Sequence, residues 1–255
     1  MATATFKIWR GNDTGGAPET YTTDISEGMV VLDAVLQIQA EQAHDLAVRW
    51  NCKAGKCGSC SAEVNGIPRL MCMTRMSQIP IDRDITIEPM KAFPVIKDLV
   101  ADVSWNYAVK KQIREFKPCA PNGSDGTWRM SQKDVDRVQE FRKCIECFLC
   151  QDVCHVLREH RLHDEFAGPR IFVHVAALEM HPLDTEDRLD ELRKAQGVGY
   201  CNITKCCTTV CPESITITDN AIIPLKERVV DEFYDPARKL FRRFFGRKET
   251  LRPRR

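Results

Sequence analysis

This sequence lacks the features of a chain that crosses a membrane or is secreted. Its 255 residues contain no continuous run of roughly 18–20 apolar residues, which a transmembrane helix needs. Met1–Arg10 has no apolar segment long enough for a signal peptide. Low-complexity segments are also absent before the C-terminal tail. We therefore expect a cytosolic chain, whose thiols stay reduced.

Cysteine, by contrast, is abundant. The chain has 13 cysteines, an odd number that cannot all pair in intramolecular disulfides. Its length argues against a small secreted disulfide scaffold, and its 43% apolar composition against disorder, collagen or a coiled coil. Many cysteines in a cytosolic chain indicate metal binding.

Charge is nearly balanced overall but not locally. The formal net charge is +1, yet residues 236–255 contain nine basic residues and one acid, with phenylalanines between them. This pattern suits attachment to an anionic membrane surface. The alternative is a solvated or disordered tail. Nucleic-acid binding is not expected, because no nucleic-acid-reading motif accompanies the charge.

Residues 1–105 predict a small mixed α/β domain. Apolar and polar residues alternate along Thr3–Arg10, as in a half-buried strand, and Glu19–Ile25 and Asp84–Glu88 are further strand candidates. Val30–Gln42 has the apolar spacing of a helix. This order of strands, helix, loop and strand is typical of a β-grasp ferredoxin domain.

Residues 106–235 predict a mainly helical domain, and residues 236–255 are the basic tail. We expect a linking helix over Val95–Phe116, a loop over Lys117–Gly126, and a helix over Ser131–Arg142 with Ser131 as its N-cap. Further helices are predicted over Arg170–Glu179, Asp184–Ala195 and Ile222–Phe233. The predicted fold class is α+β, a β-grasp domain followed by a mainly α-helical domain of bacterial-ferredoxin type.

The first four cysteines have the spacing C-x4-C-x2-C-x11-C, which is the plant-type [2Fe–2S] pattern. Gly55 and Gly58 lie within the loop, where they permit sharp turns and leave N–H groups free to face sulfur. A zinc site is the alternative, since one C-x2-C pair is present. The glycine pattern favours a [2Fe–2S] cluster on Cys52, Cys57, Cys60 and Cys72.

The second group has the spacing C-x2-C-x2-C-x3-C, as in bacterial ferredoxins, where the fourth cysteine binds the other cluster of a pair. A partner run lies at a constant offset of 57 residues, with Thr204 in place of the second cysteine. Exchanging the fourth ligands assigns a [4Fe–4S] cluster to Cys144, Cys147, Cys150 and Cys211. It leaves a [3Fe–4S] cluster on Cys154, Cys201 and Cys207.

Two cysteines remain after this assignment. Cys119 lies in a proline-rich loop and is predicted to be a spare thiol. Cys206 is adjacent to a predicted ligand and is expected to lie beside the cluster without binding it. The alternative is that Cys206 supplies a fourth ligand and completes a second [4Fe–4S] cluster.

Four segments together carry a family resemblance: RWNCKAGKCGSC, NGIPRLMC, CIECFLCQDVC and CNITKCCTTVCP. In this order and spacing, they resemble the iron–sulfur subunits of succinate dehydrogenase and fumarate reductase, and the resemblance spans Phe6 to about Phe233. It implies an electron-transfer subunit with no substrate chemistry of its own. Electrons from succinate would pass from FAD through the [2Fe–2S], [4Fe–4S] and [3Fe–4S] clusters to quinone.

The resemblance also implies partners and a location. They are an FAD-containing flavoprotein subunit and a transmembrane anchor with quinone nearby, so the chain would lie peripherally on the cytoplasmic face of the cell membrane. Three residues depart from the familiar family pattern near the quinone pocket: His155, Glu159 and Asn202 stand where proline, tryptophan and histidine are common. These departures leave the quinone-binding residues unknown.

Other functions remain open at this point. The same architecture could run in reverse as a fumarate reductase, because the sequence does not set the direction. A thiol-driven fumarate reductase is less favoured, since its cysteine-rich extension is absent. A structural zinc-binding module is the alternative of another class.

Overall fold

The structure is a computed structural model that describes residues 2–236, so the predicted tail lies outside it from residue 237 onward. The strands are β1 Ala2–Asn12, β2 Gly15–Ile25, β3 Ser61–Val64, β4 Ile67–Leu70, β5 Ile85–Glu88, β6 Val95–Lys97 and β7 Val100–Ala101. The α-helices are α1 Val31–Glu41, α2 Ser104–Lys111, α3 Gln132–Gln139, α4 Leu149–Asp152, α5 His155–Arg158, α6 Pro169–Glu179, α7 Leu189–Lys194, α8 Cys206–Thr209 and α9 Ile223–Phe233. Short 3-10 helices cover Met71–Met73, Met76–Gln78, Glu140–Lys143 and Val198–Tyr200, and a π-helix covers Ile217–Ile222.

The chain divides into two compact units, which are described separately. Unit 1 comprises the described part of Met1–Trp105, together with Ile145–Arg161 and Cys206–Ser214. Unit 2 comprises Asn106–Cys144, Leu162–Lys205 and the described part of Ile215–Arg255.

Unit 1 is built on one mixed sheet with the strand order β4-β3-β5-β1-β6-β7, and β2 pairs with β1. The pairing of β1 with β5 is parallel, whereas β3 pairs with β4 and β5 antiparallel. Helix α1 packs against this sheet through fully buried side chains such as Leu32 and Ile38, which meet Phe6 and Ile85 in one core. The three strands and the helix predicted for this region are confirmed.

The sequence reasoning missed the β3–β4 hairpin. Asn65 and Gly66 form its turn with φ values of 51° and 74°, and the Asn65 side chain accepts a hydrogen bond from the Thr86 N–H at 2.8 Å. An Asn-Gly pair between two short strands is a strong hairpin signal. That signal was present in the sequence and would have predicted these strands.

The predicted helix over Val95–Phe116 is wrong in its first half. This segment contains β6 and β7, and the helix is confined to Ser104–Lys111. Asp98 lies between the strands with a φ of 48°, and its buried carboxylate accepts hydrogen bonds from the N–H groups of Gly11 and Ala47. These bonds to residues far along the chain favour a turn over a continued helix.

Unit 2 is mainly helical. Its core includes Phe166 and Phe172, whose ring centroids lie 5.3 Å apart. Helices α6 and α9 confirm the predictions for those segments, and Ser131 caps α3 as predicted by accepting a hydrogen bond from the Asp134 N–H.

The predicted helix over Asp184–Ala195 is shorter in the structure, where α7 covers Leu189–Lys194. The Asp184 carboxylate accepts hydrogen bonds from the N–H groups of Lys117 and Glu186 and forms a 2.9 Å ion pair with the buried Arg188. This carboxylate therefore holds a turn before α7 begins. Among residues 2–236, no helix combines the length and apolar character needed to cross a bilayer.

Candidate metal centres

The β3–β4 hairpin brings two cysteines of the first group together. Cys60 immediately precedes β3, and Cys72 follows β4 in a 3-10 helix. Ser61 pairs with Leu70 in the hairpin, and the Cys72 N–H donates a hydrogen bond to the Cys60 sulfur at 3.5 Å. Both cysteines are buried. A cysteine distant in sequence is thus placed beside the loop that carries the others.

The loop before β3 turns its N–H groups toward sulfur. The N–H groups of Ala54 and Lys56 donate to the Cys52 sulfur at 3.4 and 3.3 Å. Gly55 has a φ of +67°, and a Cβ there would lie 2.8 Å from the Met73 sulfur. Glycine adopts this left-handed conformation without strain, and the N–H donors of the turn suit an anionic sulfur ligand.

The thiol pKa values in this group move in opposite directions. The pKa of Cys57 is lowered to about 6, chiefly by a hydrogen bond from the Ser59 side chain, and the Cys52 thiol also lies within hydrogen-bonding reach. Burial raises the pKa of Cys60 to about 12, and the Cys72 thiol lies beside it. A buried thiolate of this kind needs a cation, which a metal centre supplies.

Three cysteines of the second group lie on unit 1. Cys147, Cys150 and Cys154 are all buried, around the short helices α4 and α5. Phe148 takes a left-handed conformation with a φ of 62°, which starts α4 directly after Cys147. The chain therefore turns between Cys147 and the helix that carries Cys150.

Cysteines of the third group meet this segment within unit 1. Burial raises the pKa of Cys154 to about 12, and the thiols of Cys206 and Cys207 also raise it through their charge. Cys206 begins α8, where Cys207 is buried, and Cys211 follows the helix. The structure thus brings Cys154 close to both Cys206 and Cys207. Cys206 therefore lies near Cys154, as does its neighbour Cys207, which is a predicted ligand.

The remaining predicted ligands, Cys144 and Cys201, belong to unit 2. The Cys144 N–H donates to the Phe141 carbonyl, and the Cys201 carbonyl accepts a 2.6 Å hydrogen bond from the Lys226 ammonium.

Cys119 lies outside these groups. Its N–H donates to the Leu183 carbonyl, and its carbonyl accepts a hydrogen bond from the Trp128 indole. These are backbone contacts that order the loop, and they do not involve the thiol. That the Cys119 thiol is a spare stays a prediction.

The donor set fits iron–sulfur clusters. Within residues 2–236, no three Cys, His, Asp or Glu side chains surround a common point. The thiols of the first group make neighbouring contacts, from Cys52 to Cys57 and from Cys60 to Cys72. Thiolates that receive backbone N–H bonds are the ligands that such clusters use.

The three residues that depart from the resembled pattern lie at or near the surface. Glu159 is exposed and its carboxylate lies 3.3 Å from Arg158, whereas Asn202 is exposed in the loop after Cys201. His155 is half-buried, and its ring meets that of His160 edge to face at 6.1 Å. Nothing in these contacts identifies a quinone-binding residue.

Comparison with known proteins identifies two iron–sulfur domains in this chain. Residues 5–107 match the family model of a 2Fe-2S iron-sulfur cluster binding domain, and residues 140–215 match that of a 4Fe-4S dicluster domain. The chain is 31% identical over 232 residues to a succinate dehydrogenase iron-sulfur subunit of Paracoccus denitrificans, covering 89% of this chain and 88% of the relative.

Two mycobacterial proteins extend the comparison. A fumarate reductase iron-sulfur subunit of Mycobacterium tuberculosis is 31% identical over 204 residues, covering 77% of this chain and 80% of that protein. A chain in the solved structure of the Mycobacterium smegmatis Sdh1 complex in the apo form superposes with a TM-score of 0.87 at 59% identity, covering 92% of this chain and 98% of that one. The chain therefore belongs to the family of iron–sulfur subunits of succinate dehydrogenase and fumarate reductase.

Proposed function

We propose that this chain passes single electrons through three iron–sulfur clusters, from the FAD of a flavoprotein subunit to quinone at a membrane anchor. The cofactors are a [2Fe–2S], a [4Fe–4S] and a [3Fe–4S] cluster, which when bound accept and release one electron at a time. The observation that carries this proposal is the placement of Cys72 beside Cys60 by the β3–β4 hairpin, together with the backbone N–H groups that donate to the Cys52 and Cys60 sulfurs.

The proposed ligands follow the exchange of fourth cysteines between the two runs. The [2Fe–2S] ligands are Cys52, Cys57, Cys60 and Cys72. The [4Fe–4S] ligands are Cys144, Cys147, Cys150 and Cys211. The [3Fe–4S] ligands are Cys154, Cys201 and Cys207. We keep the predicted domain boundaries of 1–105 and 106–235, with the tail at 236–255.

The chain's own groups give each site a different environment. Cys52 is exposed and receives two N–H bonds, whereas Cys60 and Cys154 are buried. Hydrogen bonds to sulfur and burial both set the potential of a cluster. We infer that these contacts tune the order in which the sites accept electrons.

Metal analysis and EPR of the purified complex test the ligand sets. We expect iron and acid-labile sulfide without stoichiometric zinc, and the signal of an oxidised [3Fe–4S] cluster in the air-oxidised protein. Cys207→Ser should remove that signal, while Cys119→Ser, the matched control, should leave every cluster intact. Zinc without iron would instead indicate a structural zinc module.

Cys206 lies close to Cys154 and could therefore be a further ligand. The same EPR measurement tests whether it is one. If Cys206 only neighbours the cluster, Cys206→Ser should keep the [3Fe–4S] signal. If wild type lacks that signal and shows a second reduced [4Fe–4S] signal that Cys206→Ser abolishes, then Cys206 is the fourth ligand.

Fumarate reduction is the second candidate, favoured by the similarity to the Mycobacterium tuberculosis subunit. Both directions use the same clusters, so they differ only in which donor drives turnover. Succinate-dependent quinone reduction and quinol-dependent fumarate reduction, assayed on the same complex, distinguish them. We further propose that the complex lies on the cytoplasmic face of the membrane.

A further inference from the structure

The loop that carries the first cysteine group touches the backbone of Cys147. Gly58 has a φ of +68°, and a Cβ at this position would lie 2.6 Å from the Cys147 Cα and 2.9 Å from its Cβ. Such distances are far below van der Waals contact. Glycine is therefore required both by the backbone conformation and by the close approach of these two segments of unit 1.

One buried hydroxyl bridges the two segments at this contact. The Ser61 Oγ lies 2.8 Å from the Gly58 carbonyl oxygen and 2.9 Å from the Cys147 carbonyl oxygen. A serine hydroxyl has one proton, so the two carbonyls share a single donor. Ser61 is only 7% exposed, and water therefore has little access to replace this bond.

The same face of β3 makes a second polar contact with this part of the chain. Glu63 lies two residues after Ser61, and residues two apart on a strand point to the same side. Its fully buried carboxylate forms two contacts with the Arg158 guanidinium, at 2.6 and 3.1 Å. Ala62 and Val64, on the other face, pack in the hydrophobic core.

We propose that Ser61 is a positioning residue for electron transfer between the first and second iron–sulfur sites, across the Gly58–Cys147 contact. The inference rests on the proposed function, in which Cys57 and Cys60 ligate one cluster and Cys147 the next. Each crossing moves one electron, which oxidises the first site and reduces the second, and no bond or proton is transferred. The shared hydroxyl holds the two backbones in contact, so the electron crosses no solvent-filled gap.

The experiment uses the whole complex, with flavoprotein and anchor, and compares wild type with Ser61→Ala. The matched control is Ser77→Ala, which removes a hydroxyl from an exposed serine of the same unit. Iron and sulfide content and the EPR amplitude of each cluster report whether the sites are assembled. Two further readouts report positioning: the magnetic interaction between the two reduced clusters, and the rate at which succinate reduces the second cluster, followed by rapid-freeze EPR.

We expect Ser61→Ala to keep full clusters, to weaken the magnetic interaction and to slow reduction of the second cluster several-fold, with Ser77→Ala unchanged. Gly58→Ala should give a larger effect of the same kind, because its methyl group would push against Cys147. Unchanged interaction and rate in a fully loaded Ser61→Ala complex would overturn the inference. Loss of the [2Fe–2S] signal in that variant would also overturn it, because the hydroxyl would then build one site.

These results separate the two proposals. Wild-type complex without the expected cluster signals would contradict the proposed function itself. Wild-type complex with those signals, beside a Ser61→Ala complex that behaves identically, would contradict only the positioning role.

Discussion

Glu63 carries a fully buried carboxylate whose charge is neutralised by two cations. Besides Arg158, it contacts the Lys91 ammonium at 3.1 Å. It also lies opposite Glu88 in the β3–β5 pairing, where two carboxylates would repel, and Lys91 bridges both of them. Removing one partner of a buried ion pair leaves an uncompensated charge, which costs more than the pair itself contributes.

Arg158→Met should therefore lower the free energy of unfolding by about 3 kcal/mol, because Glu63 then keeps Lys91 as its only cationic contact among the described residues, beside the Asp152 carboxyl. Urea denaturation followed by loss of cluster absorbance measures the effect. Arg161→Met is the control, since Arg161 is exposed and its guanidinium donates to the Lys91 carbonyl and to no other described residue. Equal destabilisation by the two variants would show that the Arg158–Glu63 contact contributes no more to the free energy of unfolding than the exposed Arg161 does.

At the scale of elements, a single carboxylate joins the Glu140–Lys143 helix to the start of the π-helix in unit 2. Glu140 accepts hydrogen bonds from the Thr216 N–H at 2.7 Å and from the Asn220 amide at 2.6 Å. Burial acts to raise the pKa of Glu140, but these hydrogen bonds outweigh it and lower the pKa below its usual 4.5. The ionised form is therefore stabilised by folding.

Because the folded pKa is depressed, this stabilisation is present above pH 4.5 and is lost as pH falls through the folded pKa. Glu140→Gln should cost about 1 kcal/mol at neutral pH and nothing in strong acid. Unfolding measured across pH tests this, with the exposed Glu227→Gln as control. A pH-independent difference from wild type would mean that the charge of Glu140 is not what matters.

For the whole molecule, the charge distribution bears on attachment to the membrane. The basic tail contains nine of the chain's 37 basic residues, so the remaining chain is mildly acidic. Each Lys or Arg near an anionic surface contributes about 1 kcal/mol, and salt screens that attraction. The tail lies almost entirely outside the described residues, so its role stays a prediction.

Deleting residues 236–255 should weaken binding of the complex to anionic liposomes and reduce the salt dependence of that binding. Co-sedimentation with vesicles of anionic lipid, at low and high salt, measures both quantities. Vesicles of neutral lipid serve as the control. Binding that is unchanged by both the deletion and the salt concentration would rule out an electrostatic role for the tail.

The sequence predicted more of the cluster chemistry than of the contacts around it. Cysteine spacing is a local property, because a short loop with a fixed number of residues can wrap only certain groups of metal ions. The spacing therefore indicated three clusters, and the two domain matches and the family agree with it. The periodicity of α1 and β1 was equally local, and both elements are confirmed.

Tertiary structure decided the features that depend on residues far apart in the chain. A helix was predicted around Asp98, but its carboxylate accepts hydrogen bonds from the Gly11 and Ala47 N–H groups and holds a turn between two strands. Ser61 and Glu63 face Cys147 and Arg158 only because unit 1 folds that segment onto β3. No local pattern reports such pairings, since their energy comes from burial and from partners about 90 residues away along the sequence. Sequence alone thus determined which atoms bind iron in our proposal, and the fold decided how the first sites are held together.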